Sequence, residues 1–184
     1  MKQETKSLIL KILLGALAVV FLAAVGWFVY HLMQFKTYHD NQFKFSIKYP
    51  SSWLMKEGHL GTAVTFVRPK QSGLDVFEPN ANITVQEVPD EIATLSSFSA
   101  TITKQMTAVF KTNIKIVEDK SYTFGNRQGH VLIIDAPNPQ NLRAVFVWTI
   151  KGSMGYILTF ISRLDQYPSL SPTLKEMIQS FEFK

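Results

Sequence analysis

The sequence predicts an α+β domain with a central antiparallel β-sheet flanked by helices, preceded by one transmembrane helix. Three observations support this prediction. Several short segments alternate apolar and polar residues, as half-buried strands do. Two other segments repeat apolar residues every three or four positions, which is typical of amphipathic helices. A long apolar run stands near the N-terminus, ahead of all these segments.

The apolar run extends from Ile12 to Leu32 and contains no Asp, Glu, Lys or Arg. About 20 residues at 1.5 Å rise per residue give roughly 30 Å of helix, enough to cross a bilayer core. Three lysines and one glutamate precede the run, which favours a cytoplasmic N-terminus. We therefore expect residues 1–34 to be a cytoplasmic tail and signal anchor, with the remainder extracytoplasmic at the cell membrane. A cleaved signal peptide is the alternative, but its apolar core spans only roughly 7–15 residues.

Composition limits the classes of function. The chain has 184 residues and no cysteine, which excludes disulfides, thiol catalysis and Cys-ligated metals. The formal net charge is +5. Residues 1–11 carry two of those units, and the basic residues of the remainder are scattered singly. We expect no nucleic-acid partner, because such a surface needs basic residues clustered on one face.

The elements follow one another in a simple order. Residues 35–42 form a short polar connector, and residues 43–184 form the folded domain. An amphipathic helix is expected at 94–110 with Thr94 as its N-cap, and a closing helix follows with Ser171 as N-cap and Pro172 as first residue. The late strands are the most apolar and are joined by short turns, so we expect consecutive antiparallel pairing at the sheet centre. The predicted strands lie within residues 43–50, 53–58, 62–69, 82–89, 114–124, 127–137, 142–152 and 155–163.

Local sequence adds a resemblance to a known family. The motifs are the opening FKFSIKYPSSW with Tyr49-Pro50 before Trp53, the strand NITVQEVP from Asn82, and Gly155-Tyr156-Ile157-Leu158 followed by a helix closing on Ser180-Phe181. In these features the chain resembles the PsbP-like family over roughly residues 43–183. The resemblance implies an antiparallel sheet sandwiched by helices. It also implies binding or assembly without catalysis, as in extrinsic photosystem II subunits, a nuclear-transport regulator of similar fold and bacterial envelope proteins.

The predicted anchor departs from the photosynthetic members of that family. Those members have a removable lumen-targeting peptide or a lipidated cysteine instead. The anchor therefore counts against a role as an extrinsic subunit of the photosystem II type.

Candidate sites are few. The four histidines, His31, His39, His59 and His130, lack metal-site spacing. No Gly-rich phosphate loop or Gly-x-Ser-x-Gly elbow is present, so we expect no catalytic residue, cofactor or metal. Gln71–Asn80 is the longest irregular loop of the domain. Its residues Asp75, Glu78 and Asn80 are the candidate contacts for a ligand or partner.

The residues leave three functional hypotheses open. The first is a membrane-anchored, non-catalytic extracytoplasmic domain that binds a protein or an envelope component. The second is a small-molecule or lipid-binding module with a pocket between sheet and helix. The third is a hydrolase with a cryptic site, which requires convergent polar side chains in a cleft around His59 or His130.

Overall fold

The computed structural model describes residues 16–17, 19–26, 34–70, 77–109, 114–136 and 141–184. The chain divides into two compact units, Met1–Lys36 and Thr37–Lys184. In the first unit, residues 16–17 and 19–26 are helical and their large apolar side chains are exposed. Within the described ranges, no helix is long and apolar enough to cross a membrane. The anchor predicted over residues 12–32 lies mostly outside the described residues and stays a prediction.

The second unit is built on antiparallel strands. The strands are β1 (Phe35–Asp40), β2 (Phe45–Pro50), β3 (Leu54–Glu57), β4 (Val64–Val67), β5 (Asn80–Glu87), β6 (Lys115–Phe124), β7 (Arg127–Ala136), β8 (Leu142–Lys151), β9 (Met154–Arg163) and β10 (Glu182–Phe183). The helices are α1 (Leu95–Val109) and α2 (Tyr167–Gln179), and short 3-10 turns lie at His59–Gly61 and Asp90–Ile92. Seven strands form one sheet in the order β3-β4-β5-β9-β8-β7-β6, and β1-β2-β10 form a smaller one.

The two helices cover opposite faces of the large sheet. Along β8, Val145 and Val147 belong to the core cluster that contains the apolar residues of α2. The alternate residues Phe146 and Trp148 belong to the cluster that contains Phe98 of α1. Because neighbouring side chains of a strand point to opposite faces, the sheet lies between the helices. This confirms the predicted α+β sandwich.

The late strands pair as the sequence predicts. Strand β9 is the middle strand of the seven, and β6, β7, β8 and β9 pair consecutively and antiparallel. The first helix is also confirmed, since Thr94 Oγ1 accepts the Ser97 main-chain N–H at 3.2 Å.

The connector predicted at residues 35–42 is wrong in its secondary structure, because strand β1 occupies most of it. Although the segment is polar in composition, two of its residues, Tyr38 and Asp40, are buried. The Tyr38 ring packs against Phe66 with centroids 6.1 Å apart. The Asp40 carboxylate accepts the Tyr38 hydroxyl at 3.1 Å and the Phe43 main-chain N–H at 2.7 Å. The carboxylate therefore closes the turn into β2 and is satisfied although it is buried.

The predicted start of the closing helix is also wrong. Helix α2 begins at Tyr167, and Pro172 lies inside it. A proline in a helix leaves one carbonyl, four residues back, without its N–H partner. The Ser171 hydroxyl donates to that carbonyl, of Pro168, at 3.2 Å. Ser171 thus compensates for the internal proline and is not the N-cap.

Candidate functional site

The site residues predicted from the sequence do not form a cleft. Asp75 lies outside the described residues. Glu78 is exposed, and the Asn80 side-chain amide donates to the Glu78 main-chain carbonyl at 3.1 Å. Neither residue lines the clefts described below. Their contact with a ligand or partner stays a prediction.

The histidines are spread over the molecule. His31 lies outside the described residues, and His59 is exposed in a turn. His39 is exposed, and its Nδ1 lies 2.7 Å from Lys184 Nζ. In the part of the chain that the structure describes, no group of three or more His, Asp or Glu side chains could hold a metal.

His130 lies in a polar cleft of about 570 Å³ between α1 and strands β6 and β7. Its imidazole contacts the Asp119 carboxylate and stacks on the Trp148 ring, with centroids 4.9 Å apart. The buried Trp148 Nε1–H donates to Ser99 Oγ at 2.8 Å. This network attaches α1 to the sheet through polar groups that satisfy one another.

The cleft around His130 has the polar side chains that the hydrolase hypothesis requires, but in the described part of the chain no nucleophile is aligned with the His130–Asp119 pair. A nucleophilic hydroxyl must be within hydrogen-bond reach of its histidine base. Among the described residues, no serine or threonine hydroxyl hydrogen-bonds to His130. The Ser99 hydroxyl is already the acceptor for the Trp148 indole.

A second cleft, mainly apolar, lies on the opposite face of the sheet. We call it the α2 groove, and its volume is about 500 Å³. Helix α2 packs against β2 and β9, and the groove opens between this helix and strands β6, β7 and β8. The strands contribute Glu118, Tyr122, Val131, Ile133 and Val145, and the helix contributes Tyr167, Ser171, Pro172, Leu174, Lys175 and Ile178.

Most charges around the α2 groove are paired. Glu118 contacts Lys120, which precedes Tyr122 by two residues on β6. Arg143 donates to both carboxylate oxygens of Asp135 at 2.6 and 2.8 Å, and these hydrogen bonds raise the pKa of Arg143. Lys175 is exposed, and no carboxylate of the described residues lies within ion-pair distance of it. Among the described residues, Lys175 therefore places a positive charge without an ion-pair partner at the rim of the groove.

A tyrosine adds a hydrogen-bonding group to the α2 groove. The Arg143 guanidinium carbon lies 4.7 Å from the centroid of the Tyr167 ring. Burial raises the pKa of the Tyr167 phenol, against the opposing effect of Arg143. The phenol is thus protonated at neutral pH and is able to donate a hydrogen bond.

The α2 groove has the character of a ligand site. Its volume falls within the roughly 300–1,000 Å³ of small-molecule sites, which are mainly apolar with a few polar groups. The hypothesis of a pocket between sheet and helix, made from the sequence, named no residues for it. The available signal was β7, where Val131, Leu132, Ile133 and Ile134 are apolar on both faces of a strand next to the sheet edge. Such a run predicts burial on both sides but does not reveal that Ile133 is only half-buried beside α2.

The fold and groove together define an α+β sandwich protein with a ligand-sized groove beside one helix. Comparison with protein families shows which family the chain is related to. The PsbP family model matches residues 33–183. The chain therefore belongs to the PsbP family, which confirms the resemblance seen in the sequence. The matched range includes β1. No curated protein matches the chain.

Solved structures share the fold at low sequence identity. Cyanobacterial PsbP from Synechocystis superposes with a TM-score of 0.61 at 12% identity, covering 83% of this chain and 94% of that one. The Ran-binding protein Mog1p of Saccharomyces cerevisiae gives 0.57 at 9% identity, covering 82% and 96%. LpqN of Mycobacterium tuberculosis, involved in cell envelope biogenesis, gives 0.57 at 11% identity, covering 82% and 91%. At such low identities, the superpositions show a common fold and nothing more.

Proposed function

We propose that this chain is a membrane-anchored, non-catalytic extracytoplasmic module that binds a protein or an envelope component. The apolar run at residues 12–32 and the lysine-rich tail before it support the placement. The helical residues 16–17 and 19–26 expose their large apolar side chains, as a helix that faces lipid does.

The observation that carries the binding proposal is the α2 groove. A packed sandwich normally closes the space between helix and sheet, since protein interiors are filled to about the density of organic crystals. Here a groove of about 500 Å³ remains between α2 and the sheet edge, with the half-buried Tyr122, Ile133 and Tyr167 at its surface and the buried Val131 and Val145 beneath them. An open apolar groove beside a sheet edge favours capture of a ligand over a purely structural role.

Two further observations favour binding over catalysis. The His130–Asp119 pair has no hydroxyl nucleophile hydrogen-bonded to it among the described residues. Two proteins of the same fold are named for binding Ran and for a part in cell envelope biogenesis. We extend the general property of binding to this chain, and not those partners. A photosystem II role stays a prediction of the family resemblance alone.

A second candidate function is that of a small-molecule or lipid-binding module. The specific observation in its favour is the size and apolar lining of the α2 groove, which suit a small ligand better than a folded partner. This candidate and the first differ in the occupant of the groove and use the same site.

Photo-crosslinking from inside the groove tests the proposed function. Tyr122 is half-buried in the groove, and a benzoylphenylalanine at this position keeps an aromatic side chain there. The full chain is irradiated in intact cells, and adducts are identified by mass spectrometry. We expect a defined adduct from position 122, because an occupant must pass within reach of that ring.

The control position is Leu54 on β3, at the opposite edge of the large sheet. Its side chain is 55% exposed, so it reports non-specific capture of apolar partners. A second control fills the groove with Ile133→Trp, which should remove most of the adduct from position 122. Equal adducts from positions 122 and 54, or no adduct at either, would contradict the proposed function.

A further inference from the structure

We propose that the α2 groove binds the acyl chain of a fatty acid and that Lys175 at its rim pairs with the carboxylate. This inference rests on the proposed function, because it identifies the occupant of the same groove. It commits to a single-chain amphiphile whose head carries one negative charge.

The acyl chain is matched by the lining of the groove. Tyr122 and Ile133 of the sheet are half-buried and Pro172 of the helix is exposed, and they present apolar surface above the buried Val131 and Leu174. Transfer of apolar surface from water into such a groove is favourable. A flexible hydrocarbon chain is able to follow this lining.

The carboxylate is matched by the uncompensated charge of Lys175. Two other charged side chains beside the groove are already paired, Glu118 with Lys120 and Arg143 with Asp135. A dianionic head would leave one charge without a partner, since a phosphate monoester carries about −1.5 to −2 at neutral pH. One ammonium group therefore favours a carboxylate.

The position of Lys175 also orients the ligand. The residue lines the groove and is exposed to solvent, whereas Ile133 on β7 is half-buried. A ligand with its chain against Ile133 and Pro172 and its head at Lys175 keeps its charge in water and its methylenes on apolar side chains. This arrangement avoids the cost of burying an unpaired charge.

A photoreactive fatty acid tests the assignment. The full chain is placed in phosphatidylcholine nanodiscs with a palmitic acid analogue that carries a diazirine in its chain. After irradiation, labelled peptides are mapped by mass spectrometry. We expect label on peptides of β7 and α2 that line the groove. The alcohol analogue of the same chain length should label them more weakly, because it lacks the charge that Lys175 pairs.

Two lysine variants test whether the charge of Lys175, and not a change in folding, determines labelling by the acid. Lys175→Gln should lower groove labelling by the acid roughly threefold, the scale of an exposed ion pair. It should leave labelling by the alcohol unchanged. Lys104→Gln is the matched control, a lysine on α1 on the other face of the sheet, and should change neither. Thermal melting of each variant confirms that it is folded.

Three results would overturn the inference. They are label spread evenly over the domain, equal labelling by the acid and the alcohol, and equal effects of Lys175→Gln and Lys104→Gln. Each of these results is distinguishable from failure of the proposed function. If any of them occurred together with a protein adduct at position 122, the proposed binding function would stand and the fatty-acid inference would be rejected.

Discussion

Replacing Phe181 by alanine is expected to lower the free energy of unfolding by about 3–5 kcal/mol. The Phe181 ring is 1% exposed, and the residue lies directly after Ser180, the C-cap of α2. It stacks on Phe124 of β6 with centroids 4.2 Å apart, and on Phe45 of β2 at 5.3 Å. One ring therefore holds the small sheet, the large sheet and the end of α2 together. Its removal leaves a cavity that three elements would have to close.

Urea unfolding of the full chain in detergent micelles, followed by tryptophan fluorescence, measures this loss. Phe183→Ala is the matched control, because Phe183 belongs to the same aromatic cluster, 5.2 Å from Phe181, but is only half-buried. We expect the control to lose clearly less stability. If the two variants were equally stable, Phe181 would not have the joining role that its contacts indicate.

Replacing Gly129 by alanine is expected to cost about 1–3 kcal/mol or more, through overpacking against rigid backbone. A Cβ at this position would lie 2.4 Å from the main-chain oxygen of Trp148. That oxygen is hard to displace, because Trp148 is fully buried and pairs with His130 in the β7–β8 ladder. The strands must therefore separate locally, which also disturbs the polar cleft.

Gln128→Ala is the control for Gly129→Ala, since Gln128 is the preceding residue of β7 and is exposed. Its side chain is removed without adding an atom near Trp148. Urea unfolding should place the Gln128 variant close to the unchanged protein and the Gly129 variant well below it. Equal stability of the glycine and alanine forms would show that the β7–β8 spacing is not fixed at this point.

Local chemistry explains why the hairpins of the late strands could be predicted. The turn between β6 and β7 is Gly125-Asn126, and both residues have positive φ, 61° and 58°. The turn between β8 and β9 uses Gly152 with φ of 62°. Glycine and asparagine adopt this conformation most readily, so the turns are visible in the sequence itself. The apolar alternation on either side then fixes the pairing.

Elements that depend on distant contacts could not be predicted in the same way. Strand β1 is polar in sequence, and its burial depends on Tyr38 meeting Phe66 of β4. Helix α2 is able to begin before Pro172 because the Ser171 hydroxyl donates to the Pro168 carbonyl. A serine before a proline usually marks the start of a helix, whereas here the pair lies inside it. The α2 groove depends on where α2 crosses the sheet. No single segment of the sequence carries that information. The pattern of turn residues predicts a contact surface in the loop at residues 71–80 instead.

Protease accessibility of residues 37–184 in intact spheroplasts tests most directly whether the groove faces the outside of the cell. The charge pattern around the apolar run at residues 12–32 predicts digestion of the domain without permeabilisation of the membrane. An envelope component would then be able to reach the α2 groove. Protection until the membrane is permeabilised would contradict the proposed topology, and the groove would have to bind a cytoplasmic ligand.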